Sequence, residues 1–235
     1  GVPELIAEGL QPYRDLFCRA AGFDHVSRYV TGLLLSPNKT LQGIYDQQVW
    51  PEESGASRRA MHAAVFEAGW DSDGLLPRHR AVVAEQHRGC GLEVIGLDWT
   101  YIHHDRGPEI YAAKRAYDHV AGRLSTYQTL VTAVVANADR IDGLAVDVQF
   151  PNYQAEELGY LTMTAQDEYT NLEQARQRIM DLLHYQKNRL AYRKRTEMAV
   201  EIVRQLEAEG QFPGVPYAFD NGVLSLPLTQ LIEQQ

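Results

Sequence analysis

Two aspartates are conspicuous for where they sit. Asp98 closes the apolar run Leu92-Glu93-Val94-Ile95-Gly96-Leu97, and Asp220 closes Val215-Pro216-Tyr217-Ala218-Phe219 immediately before the turn pair Asn221-Gly222. An ionised carboxylate at the end of an apolar strand is costly unless it meets a cation, a hydrogen-bond donor or solvent at the strand's carboxyl edge. Taken singly, each reads more simply as a turn or cap residue. Taken together they suggest a metal site. If the two strands lie side by side, both carboxylates project at the same end, and hard oxygen donors so placed select Mg²⁺ or Mn²⁺.

A second feature is electrostatic. Between Arg176 and Arg195 lie Arg176, Arg178, Lys187, Arg189, Arg193, Lys194 and Arg195, against the single acid Asp181, in a chain whose net charge is −9. The acidic average argues against nonspecific coating of nucleic acid, and this stretch is the candidate polyanion-facing segment. Lys187, Arg189, Arg193, Lys194 and Arg195 are the candidates for phosphate contacts, and Arg189 and Arg193 share a face if one straight helix runs through both. The alternative is a solvated helix face whose charges pair with acidic surface elsewhere.

Other candidates carry less. His103-His104-Asp105 has metal-binding residue types, but adjacent strand residues point to opposite faces, so both histidines cannot easily serve one ion. Asp139, Asp142 and Asp147 surround a glycine-containing turn without the spacing of a calcium loop. The phosphate-cradling patterns GxxxxGK and GxGxxG are absent from the sequence. Trp50, Trp70 and Trp99 could stack bases, although Trp50 and Trp70 fall at predicted helix ends, where large aromatics complete a core.

The elements that must position these residues fall into two parts. Residues 1–90 read as short helices separated by breakers. Tyr13–Ala21 is closed by Gly22, and Asp24 stands as N-cap of His25–Leu35, whose Val26, Tyr29, Val30, Leu33 and Leu34 recur at helical spacing and predict one buried face. Thr40–Tyr45, Ser57–Glu67 and a helix with Pro77 at its start and Ala81–His87 following complete the set. At Gly89-Cys90-Gly91 the texture changes. Strand-length apolar runs follow at 92–98, 109–113, 130–136, 143–149 and 215–220. Residues 170–209 form a helical region broken into at least two pieces, with Ala199, Ile202, Val203 and Leu206 at helical spacing, and 227–233 starts a last helix. The expectation is α/β: a helical domain over 1–90 and a sheet domain over 91–235.

Composition agrees with a globular chain of one or two domains: 235 residues, 45% hydrophobic and 23% charged. Its longest apolar stretches, such as 130–136, fall well short of the roughly 20 residues needed to cross a bilayer. Two distant cysteines, Cys18 and Cys90, suggest neither a disulfide framework nor a zinc knuckle, so a reducing cytoplasm is expected.

Asp24-His25-Val26-Ser27-Arg28-Tyr29-Val30-Thr31-Gly32-Leu33-Leu34-Leu35, followed by Asn38-Lys39-Thr40, resembles the N-terminal helix of bacterial insertion-sequence transposases of the DDE superfamily. A helical stretch like 63–80, a strand ending in an acid like 94–98, a strand pair like 109–113 and 130–136, and a final Val-Pro-Tyr-Ala-Phe-Asp-Asn-Gly segment then follow in the family's order. The resemblance implies an RNase H-like mixed sheet with flanking helices, two divalent ions (Mg²⁺ or Mn²⁺), and phosphoryl transfer on DNA at transposon ends and targets. By the same resemblance Asp98 bridges both ions and Asp220 binds one, both as catalytic residues. It also implies a helical N-terminal domain that contacts DNA or a partner, a homodimer being one arrangement. Chemistry of this kind needs no covalent protein intermediate, which suits a chain without an evident activated Ser, Tyr or Cys.

The sequence departs from the family in two places. Trp99-Thr100-Tyr101 follows the first Asp where a small acidic and hydroxyl signature is usual. The third carboxylate, a Glu on a helix well beyond the second Asp, has no counterpart: Glu233 is too close to Asp220, and Glu197 and Glu201 precede it. The expectation is thus a C-terminally incomplete domain, with a non-catalytic or domesticated DNA-binding relative as the alternative function.

Overall fold

The computed structural model describes residues 1–47, 57–104, 110–119, 121–166 and 172–234. The chain divides into two compact units, Gly1–Arg88 and Gly89–Gln235.

The first unit is helical: α1 (Glu4–Leu10), a 3-10 segment (Gln11–Leu16), α2 (Ala20–Leu35), α3 (Leu41–Asp46), α4 (Arg58–His62) continued by a π-helical segment (Ala63–Glu67), and α5 (Leu75–His87). Leu16, Phe17 and Phe23 form a buried cluster, against which Leu10, Tyr13, Val26 and Trp70 pack. Phe17 stacks on Trp70 with ring centroids 5.1 Å apart. Trp70 therefore completes a core; Trp50 lies outside the described residues.

Two local expectations are corrected here. Helix α2 does not begin at Asp24 but at Ala20, running through Gly22. Burying Phe23 against Phe17, centroids 5.6 Å apart, outweighs the cost of about 1 kcal/mol for a helical glycine. Nor is the apolar stripe the buried one. Phe23, Ser27, Thr31 and Gly32 are buried, while Leu34 is 65% exposed. Small residues let neighbouring helices approach: a Cβ on Gly32 would lie 2.1 Å from Ile44 Cγ2. The buried hydroxyls are satisfied within the helix, Ser27 Oγ donating to the Phe23 carbonyl and Thr31 Oγ1 to that of Ser27, each at 2.8 Å.

The second unit contains β1 (Val94–His103), β2 (Lys114–Asp118), β3 (Arg123–Ala136), β4 (Ile141–Gln149), α6 (Gln154–Gln166), α7 (Leu172–Ala191), α8 (Arg195–Glu209), β5 (Tyr217–Phe219) and α9 (Leu226–Glu233). The five strands form one mixed sheet in the order β2-β3-β1-β5, with β4 also pairing β3. Strand β3 runs antiparallel to β1, β2 and β4, and β1 runs parallel to β5. This is the α/β class expected, a mixed sheet with flanking helices consistent with an RNase H-like arrangement.

Period-2 alternation sorts the sheet into two faces. Ile95 and Leu97 of β1, Val131, Ala133 and Val135 of β3, and Leu144 of β4 are each 2% exposed or less. Helix α8 packs on β3 and β4, supplying the buried Met198, Ala199, Ile202, Val203 and Leu206 at helical spacing. Each such side chain contributes roughly 1.5–3 kcal/mol on burial. On the other face of β1 lie Gly96, Asp98 and Thr100, with Asp98 exposed.

The strand expected at 109–113 is displaced. Ala113 N–H closes a turn onto Ile110 O at 3.1 Å, Ala112 is left-handed at φ 55°, and the strand proper is Lys114–Asp118, fixed by its register against Arg123–Tyr127. Glu109 lies outside the described residues. Helix α6 had no counterpart in the sequence reading: it has no clear apolar stripe, and it is held to α7 by Tyr160 Oη donating to Asp181 at 2.6 Å and by an ion pair between Glu157 and Arg189.

Candidate active site

Strands β1 and β5 pair in the register Ile95 with Tyr217, Gly96 with Ala218 and Leu97 with Phe219. Asp98 is the next residue of β1, and Asp220 stands just past the end of β5. Because the strands are parallel, both acids follow the same end of the β1–β5 ladder, Asp98 remaining paired with Thr132 of β3. Alternation puts this position on the side of Gly96 and Ala218, away from the side packed by Leu97. Both aspartates are exposed.

Each carboxylate is tied at one oxygen. Asp98 Oδ1 accepts the Trp99 N–H at 2.7 Å. Asp220 Oδ1 accepts the N–H groups of Gly222 at 2.8 Å and Val223 at 3.1 Å, closing the turn after β5. Among the described residues neither Oδ2 has a protein donor. Each acid is thus a turn or backbone-binding residue through Oδ1.

That donor set suits a divalent ion. Two carboxylate oxygens side by side, in contact with water, are the ligands Mg²⁺ and Mn²⁺ accept while retaining waters and substrate phosphate oxygens. Among the described residues no group of three or more His, Cys, Asp or Glu converges to hold a metal, so the pair stands without a third side chain. Glu197 is occupied at the start of α8, where its carboxylate accepts the Lys194 N–H at 2.9 Å, and Glu201 pairs with Arg193. Glu233 is exposed on α9.

The Trp99 side chain lies on the α8 face, where the Arg195 guanidinium carbon sits 4.1 Å from the ring centroid and Arg195 also donates to Tyr101 Oη at 3.3 Å. A Cβ on Gly222 would lie 2.8 Å from Trp99 Cζ2, so only glycine allows the turn to rest on the indole. This contact joins residues far apart in sequence, and no local pattern announces it.

The basic segment is not one straight helix. Helix α7 ends at Ala191 and α8 begins at Arg195, so Arg193 lies in the connection and does not share a helix face with Arg189. Both are engaged within the fold, Arg189 with Glu157 and Arg193 with Glu201 and, at 2.6 Å, with Asp147. Burial opposes the charge of Arg193, but its bonds to Asp147 and Glu201 outweigh this and raise its pKa. Lys187 and Lys194 are exposed.

The remaining candidates separate. His103 Nε2 lies 2.6 Å from the buried carboxylate of Asp118, whereas His104 Nε2 meets Gln128 Oε1 at 2.8 Å; Asp105 lies outside the described residues. Asp142 pairs with Arg140 and Asp147 with Arg193, while the Asp139 N–H closes a turn onto Asn137 Oδ1. Cys18 and Cys90 are both exposed and, among the described residues, neither is in a disulfide. Among the described residues no helix is long and apolar enough to cross a membrane.

Comparison with known proteins supplies the class of chemistry. No significant match is found among curated proteins or among solved structures. The family model described as DDE superfamily endonuclease matches residues 12–150, more than half of the chain, including β1 and Asp98. Nucleases of this superfamily act on DNA and generally require divalent metal. The chain belongs to the DDE superfamily of endonucleases.

Proposed function

We propose that this protein is a DNA transposase of the bacterial insertion-sequence type, performing metal-dependent phosphoryl transfer at transposon ends. The observation that supports the reading is the register of β1 and β5, in which Asp98, within β1, and Asp220, just past β5, follow the same end of the parallel ladder. Their free Oδ2 atoms are the donors offered to Mg²⁺ or Mn²⁺, and the backbone bonds to Oδ1 hold each carboxylate in place. Ions bound there would lower the pKa of an attacking water or DNA 3′ hydroxyl and stabilise the leaving oxygen of an in-line displacement. Exposure of both acids leaves room for a phosphodiester to reach them. The exposed Lys187 and Lys194 supply phosphate contacts, with Arg195 beside them, and the helical unit over residues 1–88 contacts end DNA or a second copy of the chain.

A second reading is a non-catalytic DNA-binding relative. It is favoured by the lack, among the described residues, of a third acid converging on the pair, and by the net charge of −9. Incubation with end-containing DNA in Mg²⁺ or Mn²⁺ separates the two. Strand cleavage lost in Asp98→Asn supports the transposase. Sequence-specific binding without cleavage supports the second reading, and the absence of any DNA binding overturns both.

A further inference from the structure

Trp99 touches the environment of both acids. Its backbone N–H donates to Asp98 Oδ1 at 2.7 Å. On the opposite face its ring supports the turn that holds Asp220, since a Cβ at Gly222 would meet Trp99 Cζ2 at 2.8 Å, Cη2 at 3.0 Å and Asp220 Oδ1 at 3.1 Å. The Gly222 backbone is thus wedged between indole and carboxylate, and it donates its N–H to that same Oδ1 at 2.8 Å. Val223, which donates the second bond, is fully buried, so the turn is anchored on its far side as well. The indole is itself fixed. Arg195 stacks on it at 4.1 Å and bonds Tyr101 Oη, and Arg195 opens α8, whose buried Met198 and Ala199 hold that end of the helix on the sheet.

We propose that Trp99 is a positioning residue for the acid pair: its backbone amide holds one carboxylate and its ring lies beneath the turn of the other, so that one residue links the two supports. The proposal rests on reading Asp98 and Asp220 as the metal-holding pair. Hydrogen-bonded supports around a ligand typically cost about 10- to 100-fold in metal affinity when removed, and an aromatic wedge acting on one such support falls in that range.

The test uses the full chain and two readouts, Mn²⁺ affinity by electron paramagnetic resonance and amide exchange of Gly222 and Val223 by NMR without metal. Trp99→Ala should weaken Mn²⁺ binding by about tenfold or more and speed exchange at both amides, with Trp99→Phe recovering part of each. Gly222→Ala, which strikes the contact from the other side and serves if Trp99→Ala fails to fold, should do the same. In the Trp99→Ala background, where the two ring contacts are gone and the one to Asp220 Oδ1 at 3.1 Å remains, Gly222→Ala should add less than it costs alone. Wild-type Mn²⁺ affinity and wild-type amide exchange in both single variants would overturn the proposal. Asp98→Ala is the control for the underlying reading. If the unaltered chain takes up no Mn²⁺, that reading fails by itself, and the amides still decide: unchanged exchange sinks the role of Trp99, and accelerated exchange upholds it as the support of the Asp220 turn.

Discussion

Asp98 and Asp220 each stand one residue past the Leu97–Phe219 pair that ends the parallel β1–β5 ladder, and each spends one carboxylate oxygen on a backbone amide. Among the described residues the second oxygen of each has no protein donor, so replacing either acid by its amide should preserve these backbone bonds and remove the charge. Asp98→Asn and Asp220→Asn should therefore fold as the parent does. Mg²⁺-dependent cleavage of end DNA should fall on the order of a thousandfold. Circular dichroism and single-turnover cleavage check the two halves of the prediction.

DNA binding should depend on the exposed lysines more than on the paired arginines. Lys187→Ala and Lys194→Ala should each reduce the slope of log affinity against log salt by about one. Arg193→Ala instead removes the partner of Asp147 and Glu201. Its guanidinium is 39% exposed, so solvent screening limits the stability loss to about 1 kcal/mol. Filter binding over a salt series, with urea melts alongside, separates these outcomes.

The sheet unit should be sensitive to truncation of α8. Met198 is fully buried, and Met198→Ala should destabilise by about 2–5 kcal/mol through lost burial and a residual cavity. The fall in the urea midpoint measures it.

In the helical unit the sensitive point is the crossing of α2 and α3. Gly32→Ala places a methyl against Ile44 Cγ2 and should cost about 1–3 kcal/mol. Ile44→Ala carries its own cavity cost, but in that background Gly32→Ala should cost much less. A double-mutant cycle by thermal melting reads the coupling.

Stability of the sheet unit should decline at alkaline pH. Tyr217 is raised above the usual phenol value of 10.0, first by burial and then by its bond to Glu207 at 2.5 Å. The folded state therefore holds its proton where the unfolded chain has lost it. The contribution is complete below pH 10 and drains away as pH rises from there toward the folded value. Tyr217→Phe should flatten that alkaline limb, as urea melts at pH 8 and pH 11 would record.

Some of this was legible in the residues and some was not, for physical reasons. Asp98 and Asp220 announce themselves because an acid after an apolar run breaks a pattern, and the stripe Ala199, Ile202, Val203, Leu206 marks α8 because burial follows helical period. Local patterns do not encode partners. The strand Lys114–Asp118 owes its conformation to Arg123–Tyr127 rather than to apolarity, so the more apolar 109–113 drew the expectation. Helix α2 buries serine, threonine and glycine because close approach needs small side chains, which hydropathy alone does not reward. Helix α6 is held by Glu157–Arg189 and Tyr160–Asp181, contacts spanning two helices, and the seat of Gly222 on Trp99 joins distant parts of the chain.

Strand β5 has three residues and pairs with β1 alone among the described strands. It follows its partner by roughly 120 residues, a separation whose closure costs entropy before any contact repays it, so the union forms late. On the ribosome the hairpins around Asp98 can settle while its companion is still untranslated. Under the proposed function, the two acids therefore come together only after synthesis has passed the far strand.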